Sequence, residues 1–184
     1  MPQAVTHILV PILVVALLRD HYIKKRDRKK FPLHYVLAAG IGGVLPDFDF
    51  IISLVLAFFG VDNWNVHKTF SHSLFFPLVL LFLAFVFSLM HKNARVCNLG
   101  KHKLKLGIIF LMLSFGVMTH IILDALLGEM AYFFYPLSFQ DYGINLVRYL
   151  PFPLRDIFIP LLDGVLLVLW FVYLELKHKI SDFI

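Results

Sequence analysis

Cysteine is almost absent from this chain of 184 residues, which contains only Cys97. A single cysteine excludes an intramolecular disulfide and a zinc site built from several thiolates. The chain also lacks a glycine-rich phosphate loop in a strand context, which argues against a nucleotide-binding domain. Internal repeats and low-complexity segments are missing too. The length therefore predicts a single domain over residues 1–184.

Charged residues are scarce as well, at 16% of the chain, whereas hydrophobic residues make up 60% and include 20 Phe. Several apolar runs approach or exceed the roughly 18–20 residues needed to cross a bilayer. We therefore predict an integral membrane protein whose main partner is the lipid bilayer. The formal net charge of +5 does not predict a nucleic-acid partner. The basic residues cluster in short connectors, as the positive-inside rule predicts for cytoplasmic loops.

Five apolar runs predict an all-α, polytopic membrane helix bundle of about five spans. They cover residues 4–18, 33–60, 73–90, 106–127 and 157–176. The Gly-Gly-x-x-Pro-Asp segment that ends at Asp47 interrupts the second run, and its proline disfavours helix at the preceding residue. We therefore expect a broken second span. Basic clusters follow the first, third and fifth spans, which predicts that these connectors are cytoplasmic in the cell membrane.

Metal-ligand residue types lie in or beside these apolar runs. Carboxylates are costly in hydrocarbon and are rarely there without a partner or a task. The set comprises His7, Asp47, Asp49, His67, His72, His120 and Asp124. In the predicted topology, four chain segments bring these side chains to the outer half of the membrane. This coincidence predicts one shared metal site that faces the outer side.

The strongest pair is His120 and Asp124, which are four residues apart on an apolar helix and share one face. Imidazole and carboxylate suit zinc, and also iron or manganese. The alternative is a His–Asp hydrogen bond that ties helices together. Asp47 and Asp49 flank Phe48 at the break. One of the two is expected to cap the following helix, which leaves the other free to bind a metal.

The segment from His67 to His72 offers two imidazoles that could face one centre, or one that binds metal and one that meets a substrate oxyanion. The alternative is that they are surface histidines at the membrane interface. Lys68 could face a phosphate, or it could merely extend to the interface. His7 alone is weak evidence. The remaining histidines lie in or beside basic connectors and receive no role.

Together these motifs resemble a known family. The Leu-Pro-Asp-x-Asp break, the His-x4-His-Ser element, the His-x3-Asp helix and the amino-terminal histidine are similar to motifs of the YdjM-like membrane-bound metal-dependent hydrolases. The resemblance covers about residues 1–140. That family is distantly similar to zinc-dependent phospholipase C and the P1-type nucleases, which are all-helical enzymes with clustered zinc ions.

The resemblance implies two groups of ligands. The first ion would be held by Asp47, His72, His120 and Asp124, and a second would be held in part by His7 together with Asp124. The chain departs from the family pattern in two places. Lys68 stands where the family usually has arginine, and Leu127-Gly128 stand where threonine is common. Neither departure affects a proposed ligand.

The predicted function is hydrolysis of a phosphoester, such as a phospholipid or another lipid-linked substrate, by metal-activated water. One or two zinc-like ions are expected. Asp49, or Asp47 if it is not a ligand, would act as general base. His67 and Lys68 would stabilise developing negative charge. Two alternatives are a small metal-ion transporter or sensor that uses the same cluster, and a scaffold with a structural metal. The sequence leaves the oligomeric state open.

Overall fold

The computed structural model describes residues 4–23, 31–60, 69–90, 95–99, 102–128 and 132–179. His67 and Lys68 lie outside these ranges. The helices are α1 (Ala4–Tyr22), α2 (Leu33–Gly42), α3 (Phe48–Phe58), α4 (Phe75–Leu89), α5 (Leu106–Leu127) and α6 (Leu154–His178). Short 3-10 turns at Leu45–Asp47 and Leu146–Tyr149 precede α3 and α6. The predicted helical bundle is therefore confirmed.

A small β-hairpin interrupts the helical architecture. Strands β1 (Arg95–Leu99) and β2 (His102–Lys105) pair antiparallel between α4 and α5, with Leu99 opposite His102. The sequence predicted only a basic connector here. Two short strands rich in basic residues lack the apolar alternation that normally indicates a strand. Tyr35 of α2 accepts a hydrogen bond from the backbone N–H of Lys105 at 2.7 Å, which joins the end of the hairpin to the bundle.

Among the described residues, three helices are long and apolar enough to cross a membrane: α1, α5 and residues 154–177 of α6. The pair formed by α2 and the segment 45–58 adds a fourth if it counts as one bent span. The helix α4 has 15 residues, or about 22 Å of rise, which is less than the roughly 30 Å of a hydrocarbon core. A count of five spans requires α4 to cross as well, so that count stays a prediction.

The second apolar run is interrupted where the glycines and proline predict. The helix α2 ends at Gly42, a 3-10 turn follows, and the axis bends by 44° before α3 continues. Pro46 has no N–H to donate, so it cannot continue the α-helical hydrogen bonds that end with α2 at Gly42. That α2 and α3 form the two halves of one broken membrane span stays a prediction.

The helix α5 lies at the centre of the bundle and packs against α1, α2 and α4. Glycines allow the close approach of these helices, as small residues do at membrane helix contacts. A Cβ atom on Gly116 would overlap the carbonyl oxygen of Ala39, and one on Gly43 would overlap the carbonyl oxygen of His7. The backbones of α1, α2 and α5 therefore meet directly beside the predicted ligands.

The helix α6 is attached to α1 by two polar contacts. The hydroxyl of Thr6 donates to the Asp163 carboxylate, and the hydroxyl of Tyr173 donates to Asp20 at 3.1 Å. Tyr173 also belongs to the apolar core formed by α1 and α2. Most other apolar side chains of α6 are exposed, as expected for a helix surrounded by lipid. This helix therefore stays close to the ligand-bearing end of α1.

Candidate metal centre

Five of the predicted ligand residues converge at one place in the structure. His7 comes from α1, Asp47 from the break after α2, His72 from the connector before α4, and His120 and Asp124 from α5. The residues form two overlapping groups of three whose ligand atoms lie within 4.8 Å of one another. The groups are His7, His120 and Asp124, and Asp47, His72 and His120. His120 belongs to both.

The distances between donor atoms suit a small dication. His120 Nε2 lies 3.2 Å from Asp124 Oδ2, 3.3 Å from His72 Nε2 and 3.5 Å from Asp47 Oδ1. His72 Nε2 lies 3.7 Å from both the Asp47 and the Asp124 oxygens. Tetrahedral zinc with bonds of roughly 2.0–2.1 Å to nitrogen and oxygen separates its donors by about 3.3 Å. The residues present therefore fit a zinc-like ion.

The tautomer of His120 is fixed by the backbone. Its Nδ1 atom lies 2.7 Å from the carbonyl oxygen of Gly43, which can only accept, so Nδ1 carries the proton. The lone pair of Nε2 is then directed at the carboxylate oxygens of Asp47 and Asp124. Lone pairs that face one another at this distance require a proton or a cation between them. The oxygens of Asp47 and Asp124 and Nε2 of His72 all lie within 3.5 Å of this nitrogen, an arrangement that could hold a cation.

His72 is arranged in the same way. Its Nδ1 atom lies 3.1 Å from Ser71 Oγ and 3.4 Å from Asp49 Oδ2. The hydroxyl of Ser71 also donates to Asp49. Burial lowers the pKa of His72, but hydrogen bonds to Asp47 and Asp49 and the nearby negative charges outweigh burial and raise this pKa to about 9. At neutral pH, an arriving cation therefore has to displace a proton from His72.

Asp124 connects the two sides of the centre. Its Oδ1 atom lies 3.3 Å from His7 Nε2, whereas its Oδ2 atom faces His120 and His72. The ring of His7 stacks on that of His120 with their centroids 3.8 Å apart. Among the residues described, His7 Nδ1 has no hydrogen-bond partner. A carboxylate that presents one oxygen to each side is suited to bridge two ions.

Asp47 is the accessible member of the cluster. It occupies the N-cap position of α3, yet its side chain makes no capping hydrogen bond and faces His72 and His120 instead. Its side chain is 40% exposed, whereas the side chains of His72 and His120 are buried. The capping alternative therefore does not account for Asp47. Among the described members of the cluster, Asp47 is therefore the one that is open to the surroundings.

Three predicted catalytic residues are not among the converging ligand atoms that the structure describes. Two residues that contact the cluster histidines were not predicted. Asp49 lies beside Nδ1 of His72 rather than beside the converging Nε2 atoms. His67 and Lys68 lie outside the described residues. Sequence reasoning assigned no role to Ser71 or Gly43. The His-Ser pattern and the paired glycines at the break were the available signals, but neither shows which atom points to which histidine.

The chain was also compared with known proteins. A family model described as YdjM inner membrane protein matches residues 1–179. The chain belongs to the YdjM inner membrane protein family. No curated protein and no solved structure gives a significant match. Membership confirms the predicted resemblance and a location in the membrane. In this YdjM family member, the cluster of histidines and aspartates is the feature of the described residues that could hold a metal ion.

Proposed function

We propose that this YdjM family member is a membrane-embedded, metal-dependent hydrolase of a phosphoester such as a phospholipid or another lipid-linked substrate. The observation that carries the proposal is that two carboxylate oxygens each lie 3.2–3.7 Å from two imidazole nitrogens, which are themselves 3.3 Å apart. They belong to Asp47, His72, His120 and Asp124. Structural zinc sites are closed, whereas catalytic sites keep an open position. The exposure of the Asp47 side chain supports access to the ion from outside the cluster.

The donor set supports zinc, and manganese or iron are the other candidates. One or two ions are proposed, because the Asp124 carboxylate presents an oxygen to each of two groups. A bound ion of this kind supplies a Lewis acid and lowers the pKa of a bound water toward about 7. The buried histidines hold their orientation because Nδ1 of His120 is bonded to Gly43 and Nδ1 of His72 faces Asp49.

The open side of the cluster supports the choice of a lipid-like substrate. Phe48, next to Asp47, is 51% exposed, and α3 exposes apolar side chains on nearly every face while burying Asp49. A molecule that reaches Asp47 thus meets both a carboxylate and an apolar surface. An amphiphilic phosphoester would place its anionic phosphate at the proposed ion and its apolar part against α3. The proposed orientation places the site on the outer side, with the basic connectors in the cytoplasm.

Two roles in the proposed reaction are assigned from the sequence. His67 and Lys68 would stabilise negative charge that develops on the substrate. The exposed carboxylate of Asp47 is the described group that meets an incoming water, so we propose it as the proton acceptor or as a ligand. The sequence predicts Asp49, ahead of Asp47, as the general base. Its position beside Nδ1 of His72 supports a different role.

The test combines metal analysis with a hydrolysis panel. The full chain, purified gently in lipid nanodiscs, is expected to contain zinc or a related ion. It is expected to hydrolyse a phospholipid or a lipid-linked phosphoester, and chelation should abolish this activity. Asp124→Asn should remove both metal and activity, whereas Asp156→Asn, on the exposed start of α6, should preserve both. Absence of metal in the wild type, or full activity in Asp124→Asn, contradicts the proposal.

A metal-ion transporter or sensor is the second candidate, and the interrupted helix at Gly42–Asp47 is the observation that favours it. Transport requires a polar path to the opposite face. The segment of α5 from Leu106 to Leu113 contains no ionisable residue, which supports a one-sided site. Zinc entry into proteoliposomes loaded with a zinc-sensitive dye separates the two functions. The hydrolase proposal predicts no entry above that of empty liposomes.

A further inference from the structure

Asp49 and Ser71 form a small polar group behind His72. Asp49 is buried on the first turn of α3, and Ser71 immediately precedes His72 in the connector. The Ser71 hydroxyl donates to the Asp49 carboxylate, which can only accept. The Ser71 oxygen then accepts from Nδ1 of His72, 3.1 Å away, and Asp49 Oδ2 lies 3.4 Å from the same nitrogen.

These contacts leave one arrangement of protons. The proton of Ser71 is used by Asp49, so the hydrogen on the His72 side must come from Nδ1. When His72 is neutral, Nε2 is then left with its lone pair. That atom faces His120 Nε2 at 3.3 Å and the oxygens of Asp47 and Asp124 at 3.7 Å. The contacts of Nδ1 with Ser71 and Asp49 therefore determine that Nε2, on the opposite side of the neutral ring, carries the lone pair.

We propose that Asp49 and Ser71 are positioning residues, which hold His72 in the Nδ1–H tautomer and direct its Nε2 lone pair to a bound metal ion. A carboxylate behind a ligating histidine fixes the ring orientation and raises ligand basicity. Here the carboxylate comes from α3, on the far side of the helix break, and the histidine from the connector before α4. The inference rests on the proposed metal site, and it adds two residues that do not touch the ion.

The position of Asp49 beside Nδ1 of His72 indicates that Asp47 and Asp49 have different roles. Asp49 contacts the nitrogen of His72 that faces away from the converging donor atoms. A general base must come within hydrogen-bond reach of the proton it removes. Asp47 faces Nε2 of both His72 and His120, on the side where a metal-bound water would lie, whereas Asp49 lies on the Nδ1 side of the His72 ring.

Metal affinity tests the proposal without depending on hydrolysis. The full chain in nanodiscs is titrated with Zn²⁺ from a chelator buffer and with Co²⁺, whose visible spectrum reports the ligand geometry. Asp49→Ala is expected to weaken Zn²⁺ binding by roughly 10–100-fold, as removal of such partners does elsewhere. Asp49→Asn should lose less, because an amide oxygen still accepts from Nδ1. Ser71→Ala should lose affinity and shift the Co²⁺ spectrum in the same direction as Asp49→Ala.

The control is Asp156→Asn, a change of the same chemistry on an exposed residue of α6, which should bind like the wild type. If Asp49 is instead the general base, Asp49→Asn will bind Zn²⁺ at full affinity and lose hydrolysis, and the proposal is overturned. Full affinity in both Asp49→Ala and Ser71→Ala also overturns it, even if their melting temperatures fall. If the wild type binds neither ion, the proposed function itself fails and this inference fails with it.

Discussion

Nδ1 of His120 lies 2.7 Å from the carbonyl oxygen of Gly43, although Gly43 directly follows α2 and His120 lies in α5, far away in the chain. The contact requires α2 and α5 to touch through their backbones. Gly43 therefore has two tasks: it gives His120 a hydrogen-bond acceptor, and it leaves room for the carbonyl oxygen of His7. The geometry of the cluster depends on this absence of a side chain.

We predict that Gly43→Ala destabilises the protein and disturbs the metal site together. The added Cβ would overlap the His7 carbonyl oxygen, and overpacking of this kind costs about 1–3 kcal/mol. The matched control is Gly164→Ala, where a Cβ meets nothing within 4 Å and a helical glycine-to-alanine change gains roughly 0.5–1 kcal/mol. Thermal unfolding in detergent and zinc content measure both effects. Equal melting temperatures and equal zinc contents in Gly43→Ala and Gly164→Ala would contradict this role of Gly43.

Asp124→Asn should reduce metal binding to an undetectable level. This substitution keeps the size of the side chain but removes the charge between His7 and His120. The control is Asp163→Asn, another buried carboxylate, which keeps an oxygen to accept from Thr6. Zinc content per chain after gentle purification distinguishes the two variants. Full occupancy in Asp124→Asn would show that Asp124 is not a ligand.

Metal affinity should rise with pH up to about 9, because the ion competes with the proton on His72. Below the pKa of His72, which is about 9, the apparent affinity should fall by about tenfold per pH unit if one proton is released. Calorimetric titration in two buffers with different ionisation enthalpies counts the released protons. We expect about one at pH 7.5 from this residue, and fewer at pH 9.5. A pH-independent affinity would contradict His72 as a ligand.

Stability of the metal-free protein should show the opposite trend. The pKa of His72 in the fold is raised from 6.5 to about 9. Its contribution to stability is therefore fully present below pH 6.5 and is lost as the pH rises through about 9. Melting temperatures measured with chelator between pH 6 and pH 10 report this loss. His72→Gln should flatten the dependence in that range, and an unchanged slope in this variant would assign the effect to other groups.

The bond between Thr6 and Asp163 should contribute measurably to the attachment of α6. Thr6→Val keeps the shape of the side chain but leaves the Asp163 carboxylate with neither oxygen bonded among the described residues. An unsatisfied buried acceptor costs about 1–3 kcal/mol, so the melting temperature should fall. Thr6→Ser retains the hydroxyl and should remain closer to the wild type. Equal melting temperatures for the two variants would argue that the hydroxyl is not needed.

Cys97 provides a natural probe of orientation, because it is the only cysteine in the chain. It lies in β1, within the connector predicted to be cytoplasmic. A membrane-impermeant maleimide should therefore label it only after permeabilisation of the cells. Gln140→Cys in a Cys97→Ser background, on the exposed segment between α5 and α6, should label in intact spheroplasts. The reverse pattern would invert the topology and place the cluster on the cytoplasmic side.

The sequence predicted the grouping of the candidate ligands more completely than it predicted the packing around them. His120 and Asp124 follow from helical spacing, and Asp47 follows from the break that Pro46 imposes. Their convergence with His7 could be expected because each segment placed its polar group at a similar depth. Local rules of this kind need no knowledge of which helices are neighbours.

Helix contacts could not be predicted in the same way. A helix that is apolar on all sides gives no periodic pattern to mark its packed face. For this reason the attachment of α6 to α1 through Asp163 and Thr6 was not foreseen. The positions of Asp49 and Ser71 behind His72 depend on how α3 leaves the bend, which the residue types do not determine. The β-hairpin at Arg95–Leu99 was missed because its residues lack strand periodicity.

The shared position of the five ligands has a consequence for folding. Residues 7, 47, 72, 120 and 124 come from successive segments of the chain, so an ion bound to them would close loops over more than half the chain. Such a link removes conformational freedom from the unfolded chain, as a cross-link does. A bound metal ion would then act as a non-covalent cross-link between these segments. The complete site can form only after α5 has packed against the earlier helices. Removal of the ion should therefore speed the separation of α1 from α5 during unfolding.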